Sequence, residues 1–186
     1  MIFKSAVLLA ATGLFAQPDS RSSAIDRVAQ VATVMIDGDT CRRIQTPRSA
    51  QYLLQKNDRD PWIASDNFDV NDQAFIQTKK TLMRLARLCP ETCDVNLWMP
   101  VPSDAPRIQI LIRNVHEMSQ FWTWGDLHQE IPPEMKRVLD TGERVTVSRR
   151  PGMTSVLAPV YDSLGDIVCL VEVVSQAGLD PHENVK

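Results

Sequence analysis

The chain has 186 residues and a formal net charge of −3. A chain of this length buries roughly 70% of the surface that it exposes when unfolded, which is enough for one self-sufficient hydrophobic core. Its Lys and Arg residues are interspersed with Asp and Glu, so the composition excludes the clustered positive charge that is typical of nucleic-acid-binding proteins.

The first sixteen residues are typical of a secretory signal peptide. Lys4 supplies the positive charge, residues 5–15 form an apolar run, and Ala16 is a small residue before Gln17. A retained membrane anchor is the alternative, but this run is far shorter than the roughly 20 apolar residues that span a bilayer. We therefore expect cleavage after Ala16 and a periplasmic or secreted protein.

After this segment, the sequence predicts helices that precede any strand. Residues 23–36 place apolar side chains at helical spacing, and Gly38 is expected to end that helix. A second helical piece runs from Pro47 to about residue 56. Residues 57–72 contain five aspartates, which suggests calcium, but they lack the glycine and terminal glutamate of a calcium-binding loop. We interpret them as a solvated loop that caps a helix over residues 73–88.

Four cysteines are present: Cys41, Cys89, Cys93 and Cys169. In an exported protein, an even number favours disulfides, and Cys89 and Cys93 in "CPETC" are close enough to close a small loop. Haem attachment requires two residues between the cysteines and a following His, and here neither condition holds. A zinc site would need His116 or His128 at an unfamiliar distance. Cys169 lies in an apolar strand and is interpreted as a small buried hydrophobic residue.

From residue 94 onward the apolar period changes from 3.6 to 2, which predicts strands. A short helix begins at Pro132-Pro133 and ends at Gly142. Turn residues in "SDAP", "RRPG" and "DSLGD" join the strands into hairpins. The predicted fold class is therefore α+β, with the N-terminal helices on a five-stranded antiparallel sheet. The predicted strands are residues 94–101, 107–115, 143–149, 153–161 and 166–175.

The region 73–175 resembles the extracytoplasmic PAS-like sensor domains of the Cache family. Its most specific feature is Ala158-Pro159-Val160-Tyr161-Asp162 with Gly165, followed by an apolar last strand. The resemblance implies a single Cache domain, preceded by a helical extension over residues 17–72 and followed by a tail over residues 176–186. It also implies a small-molecule sensing or binding module with its pocket on the sheet.

The side chains that could line such a pocket are aromatic or basic. Aromatic rings supply apolar walls, guanidinium groups bind carboxylates, and a Tyr hydroxyl fixes orientation. Each also has a structural interpretation: the tryptophans could complete a core, the arginines could be solvated strand ends, and the tyrosine could be half-buried beside a turn. The candidates are Arg113, Trp122, Trp124, Arg149 or Arg150, and Tyr161.

Cache domains usually lie between transmembrane helices that connect to an output domain, and this sequence shows neither a second such helix nor an output domain. We therefore expect a small-molecule ligand, no cofactor and no metal, and a membrane receptor or signalling protein as partner. A structural subunit that forms a homodimer through the N-terminal helix is an alternative. An enzyme is a further alternative, because His116, Glu117, His128 and Glu130 flank the aromatic loop, but no recognisable nucleophile or zinc motif is present.

Overall fold

The computed structural model describes residues 20–54, 71–101, 103–123 and 128–178. The predicted signal peptide, Trp124, most of the acidic segment 57–72 and the end of the tail, including His182, lie outside these residues. The described helices are α1 (Ser20–Met35), α2 (Gly38–Ile44), α3 (Pro47–Leu54), α4 (Asp72–Ala86) and α5 (Pro133–Thr141). The described strands are β1 (Cys93–Val101), β2 (Arg107–Ile112), β3 (Gln129–Glu130), β4 (Val145–Val147), β5 (Met153–Tyr161) and β6 (Ile167–Gln176).

The strands form one antiparallel sheet in the order β3-β2-β1-β6-β5-β4. The α+β class and the hairpins β1–β2, β4–β5 and β5–β6 are confirmed. The described sheet has six strands and not five, because the two-residue β3 pairs with Arg107 and Ile108 at the edge. A strand of two residues is too short to show an alternating pattern, so sequence periodicity does not reveal it.

Helices α1, α2 and α4 cover one face of the sheet and share one hydrophobic core with it. Helix α1 contributes Ile25, Val28, Ala29 and Ala32, which are all buried. Met35 continues the helical spacing of this stripe but is 60% exposed, whereas Ile36 is buried. The predicted N-terminal extension therefore shares its core with the sheet through α1 and α2.

Gly38 begins helix α2, so its predicted role as the end of the first helix is wrong. The physical reason is a cap: the Asp37 side chain accepts hydrogen bonds from the Asp39 N–H at 3.0 Å and from the Thr40 hydroxyl at 2.6 Å. These bonds hold the pKa of Asp37 below its ordinary value, with the Thr40 hydroxyl as the largest cause. Gly38 also lies so close to the sheet that a Cβ there would be 2.4 Å from the carbonyl oxygen of Tyr161.

The predicted disulfide is present. Cys89 and Cys93 are bonded at 2.05 Å and connect the end of α4 to the start of β1. This bond is consistent with an extracytoplasmic location. Cys169 is fully buried, as predicted, and so is Cys41. Within the described ranges, no helix is both long and apolar enough to cross a membrane.

The opposite face of the sheet carries a second hydrophobic cluster beneath helix α5 and the segment that follows β2. Its largest buried side chain is Trp98, whose ring meets that of Phe121 edge to face at 6.3 Å. Segment 113–123 lies across this face in place of the predicted end of β2, which stops at Ile112. We call this side of the sheet, with segment 113–123 and α5, the loop-covered face.

Candidate functional site

Two polar side chains of β1 hold segment 113–123 against the sheet. The Asp94 carboxylate accepts hydrogen bonds from the Met118 N–H at 2.9 Å and from the His116 ring Nδ1 at 3.0 Å. The Asn96 side chain donates to the Met118 carbonyl at 2.7 Å and accepts from the Asn114 N–H at 3.0 Å. Because Asp94 and Asn96 are fully buried, these bonds replace the water that polar strand residues usually meet.

Glu172 lies at the centre of the loop-covered face and is fully buried. Its carboxyl oxygens accept hydrogen bonds from four neutral donors. The burial raises the pKa of Glu172, and the four hydrogen bonds act in the opposite direction. The donors are Ser119 Oγ at 2.6 Å, Gln120 N at 2.7 Å, Ser155 Oγ at 2.8 Å and Trp98 Nε1 at 3.1 Å.

Gln120 connects the segment to the β4–β5 turn. Its side-chain nitrogen donates to the Met153 carbonyl at 2.8 Å, and its oxygen accepts from the N–H groups of Arg149 and Arg150 at 3.1 and 2.8 Å. The two predicted arginines are thereby fixed beside the aromatic residues of the segment.

Guanidinium groups lie over the two aromatic rings at the end of this segment. Arg113 lies over the Trp122 ring with its central carbon 4.4 Å from the ring centroid, and Arg149 lies over Phe121 at 4.8 Å. Arg150 donates to the Trp122 carbonyl at 3.2 Å. We call these five residues the aromatic–arginine cluster. It brings together the predicted site residues Arg113, Trp122 and Arg149, together with the alternative Arg150.

Carboxylates of the chain already bind two of these arginines. Arg149 Nε donates to Glu134 at 3.0 Å, and Arg113 is 3.3 Å from Glu117. Partial burial acts to raise the pKa of Glu134, but the hydrogen bonds and the charge of Arg149 outweigh it, so this pKa is lowered. The cluster therefore provides a carboxylate-binding environment.

Tyr161 lies elsewhere. A Cβ added at Gly142, the C-cap of α5, would be 2.7 Å from the Tyr161 hydroxyl oxygen, which places that hydroxyl at the end of α5. The structure thus does not place Tyr161 with the aromatic–arginine cluster, and the predicted Trp124 is outside the described residues.

The described residues leave little space beneath Trp122. A crevice of about 10 Å³ remains there, lined by residues that include Trp98, Ile108, Trp122 and His128. This volume holds about one water molecule at most. A ligand larger than a water molecule does not fit this crevice.

The candidate acid–base residues belong to two separate places. His116 contacts Asp94 near the start of β1, whereas His128 accepts from Arg107 Nε at 2.5 Å, beside the end of β1. The seven-residue step from Asp94 to Val101 spans about 23 Å in an extended strand. The other ring nitrogen of His128 lies 2.8 Å from the Leu53 carbonyl, so this histidine links α3 to the sheet. In the described part of the chain, no group of three or more His, Cys, Asp or Glu side chains is placed to hold a metal ion.

Sequence reasoning missed the polar network around Asp94, Asn96 and Glu172. Alternation on β1 does not reveal whether its polar positions are covered, and the structure buries Asp94 and Asn96 under segment 113–123. One signal was available: Glu172 is the single charged residue within "VCLVEVV", and a lone charge in an apolar strand calls for buried partners.

Comparison with known proteins does not assign the chain to a family. No protein-family model matches the sequence. No curated protein matches it significantly.

Proposed function

We propose that this chain is an exported, Cache-like sensor or binding module for a small ligand that carries a carboxylate. In this proposal it acts through a partner such as a membrane receptor. The observation that carries the proposal is the aromatic–arginine cluster, where aromatic rings hold the guanidinium groups of Arg113 and Arg149. Such pre-positioned groups bind a carboxylate with little loss of side-chain entropy.

Glu134 and Glu117 support the choice of ligand class, because each carboxylate occupies the place that a ligand carboxylate would take. The ligand competes with these internal groups. Removing the charge of Glu134 therefore strengthens ligand binding, and removing the charge of Arg149 weakens it.

The test is a thermal-shift screen of the purified protein against amino acids, other carboxylates and purines. A ligand at 100 times its Kd adds about 2.7 kcal/mol of stability, which such a screen readily detects. For any compound that stabilises the protein, we expect Arg149→Gln to abolish the shift and Glu134→Gln to increase it. Arg137→Gln is the matched control, because Arg137 forms an exposed ion pair with Glu143. The proposal fails if no compound stabilises the protein, or if Arg149→Gln and Arg137→Gln have equal effects.

A second candidate is a dimerising structural subunit, and exposed apolar residues on α1 favour it. Val31, Val34 and Met35 are 40%, 82% and 60% exposed, although the same helix buries its other apolar side chains on the sheet. Light scattering coupled to gel filtration distinguishes the two candidates. If this surface joins two copies, the protein is a dimer at micromolar concentration, and Val34→Lys makes it monomeric.

A further inference from the structure

Polar contacts from two residues of α2 hold this helix on the turn between β5 and β6. Asp39 accepts a hydrogen bond from the Ser163 N–H at 2.9 Å, and Arg42 is 3.0 Å from Asp162. Gly38 lies directly against Val168, where an added Cβ would be 2.7 Å from the side chain. The register between helix and strand is therefore closely defined.

That register places Cys41 against Cys169. Cys41 is one turn after Gly38, and Cys169 is the residue after Val168. Both side chains have no exposed surface and belong to the core between the helices and the sheet. Both are free thiols in the structure. Interaction with the Cys41 thiol, together with burial, raises the pKa of Cys169 well above its ordinary value.

We propose that Cys41 and Cys169 form a second disulfide, which joins α2 covalently to β6. The two thiols exchange with a donor disulfide of the cell envelope or the medium. The new S–S bond forms as the donor S–S bond breaks, and the donor leaves as two thiols with the two electrons and two protons. A buried thiol with a raised pKa forms little thiolate, so the exchange takes place during folding, before α2 covers β6.

The Cys89–Cys93 bond provides an internal reference. Cys89 is only partly buried, whereas both members of the proposed pair are fully buried. Mild reductant without denaturant should therefore open Cys89–Cys93 first and leave Cys41–Cys169 intact, because thiol exchange requires access to the sulfur.

The direct test is to refold the reduced, denatured chain in a mixture of oxidised and reduced glutathione. The product is then denatured in an alkylating agent and mapped by mass spectrometry. We expect one peptide pair linked through Cys41 and Cys169, and the Cys89–Cys93 bond. Alkylation of Cys41 and Cys169, or a bond from either of them to Cys89 or Cys93, overturns the proposal.

Two double variants separate the contributions of the two disulfides to stability. In Cys89→Ser/Cys93→Ser, reductant should still lower the Tm by roughly 10 °C or more, since the proposed bond closes a loop of more than 100 residues. In Cys41→Ala/Cys169→Ala, that large shift should be absent. If this second variant does not fold, the first one decides alone: a Tm that is insensitive to reductant in Cys89→Ser/Cys93→Ser overturns the proposal.

Discussion

Glu172 combines complete burial with four neutral hydrogen-bond donors, and its pKa is raised above the ordinary value near 4.5. In the unfolded chain this group ionises at its ordinary pKa, while in the folded protein it keeps its proton to a higher pH. The folded state then binds more protons than the unfolded state, so the contribution of Glu172 to stability is complete below pH 4.5 and declines as the pH rises through the folded pKa.

Glu172→Gln should therefore gain stability relative to the natural protein as the pH rises from 4 to 8, because glutamine has the same shape and cannot ionise. Urea unfolding of both proteins at several pH values measures the difference between their free energies of unfolding. The other carboxyl groups are common to both proteins, so their contributions cancel in this difference. Glu130→Gln, at an exposed position of β3, is the control and should show no such trend. A difference between Glu172→Gln and the natural protein that does not change with pH would contradict the assigned pKa direction.

At the scale of elements, the contact between α2 and the β5–β6 hairpin depends on the missing side chain of Gly38. Alanine is normally favoured over glycine in a helix by roughly 0.5–1 kcal/mol. Here its Cβ would be 2.4 Å from a backbone oxygen that cannot rotate away. We expect Gly38→Ala to destabilise the protein by about 1–3 kcal/mol through overpacking.

Urea unfolding measures the effect of Gly38→Ala, with Gln30→Ala on the exposed surface of α1 as a control that changes stability by less than about 0.5 kcal/mol. If Gly38→Ala proved stabilising, α2 would lie farther from the hairpin than the structure places it. The proposed alignment of Cys41 with Cys169 would then lose its geometric support.

The sequence predicts elements well where the signal is local. Alternating residues and turn residues such as Gly165 define the hairpins, and the φ of 87° at Gly165 is one that few other residues adopt. Helix α2 was not predicted from the sequence, because a glycine such as Gly38 also commonly ends a helix. Asp37 and Thr40 were the residues that indicated a helix start at this position. Of the candidate site residues, Arg113, Trp122 and Arg149 lie close together near strand ends and loops, and their role in binding stays a prediction. The network around Glu172 depends on how segment 113–123 crosses the sheet, and no local pattern encodes that path.

For the whole molecule, the resemblance implies a Cache domain over residues 73–175 with a helical extension before it, and the structure packs α1 of that extension into the core of the sheet. Ile25 and Val28 alone bury side chains worth about 1.5–3 kcal/mol each, and a typical domain has a net stability of about 5–15 kcal/mol. A chain that begins at Asp37 would expose the sheet surface that α1 covers. We expect it to lose cooperative unfolding in urea, while a chain that begins at Ser20 keeps it.

Two point substitutions in α1 test whether the buried side chains of this helix, rather than its presence alone, stabilise the sheet. Ile25 is 1% exposed and Val34 is 82% exposed. Ile25→Ala should therefore cost about 2–5 kcal/mol in urea unfolding, because it leaves a cavity. Val34→Ala should change stability by less than about 0.5 kcal/mol. Equal, small effects at both positions, together with cooperative unfolding of the chain from Asp37, would show that the sheet folds without α1 and that the helix is available to a partner.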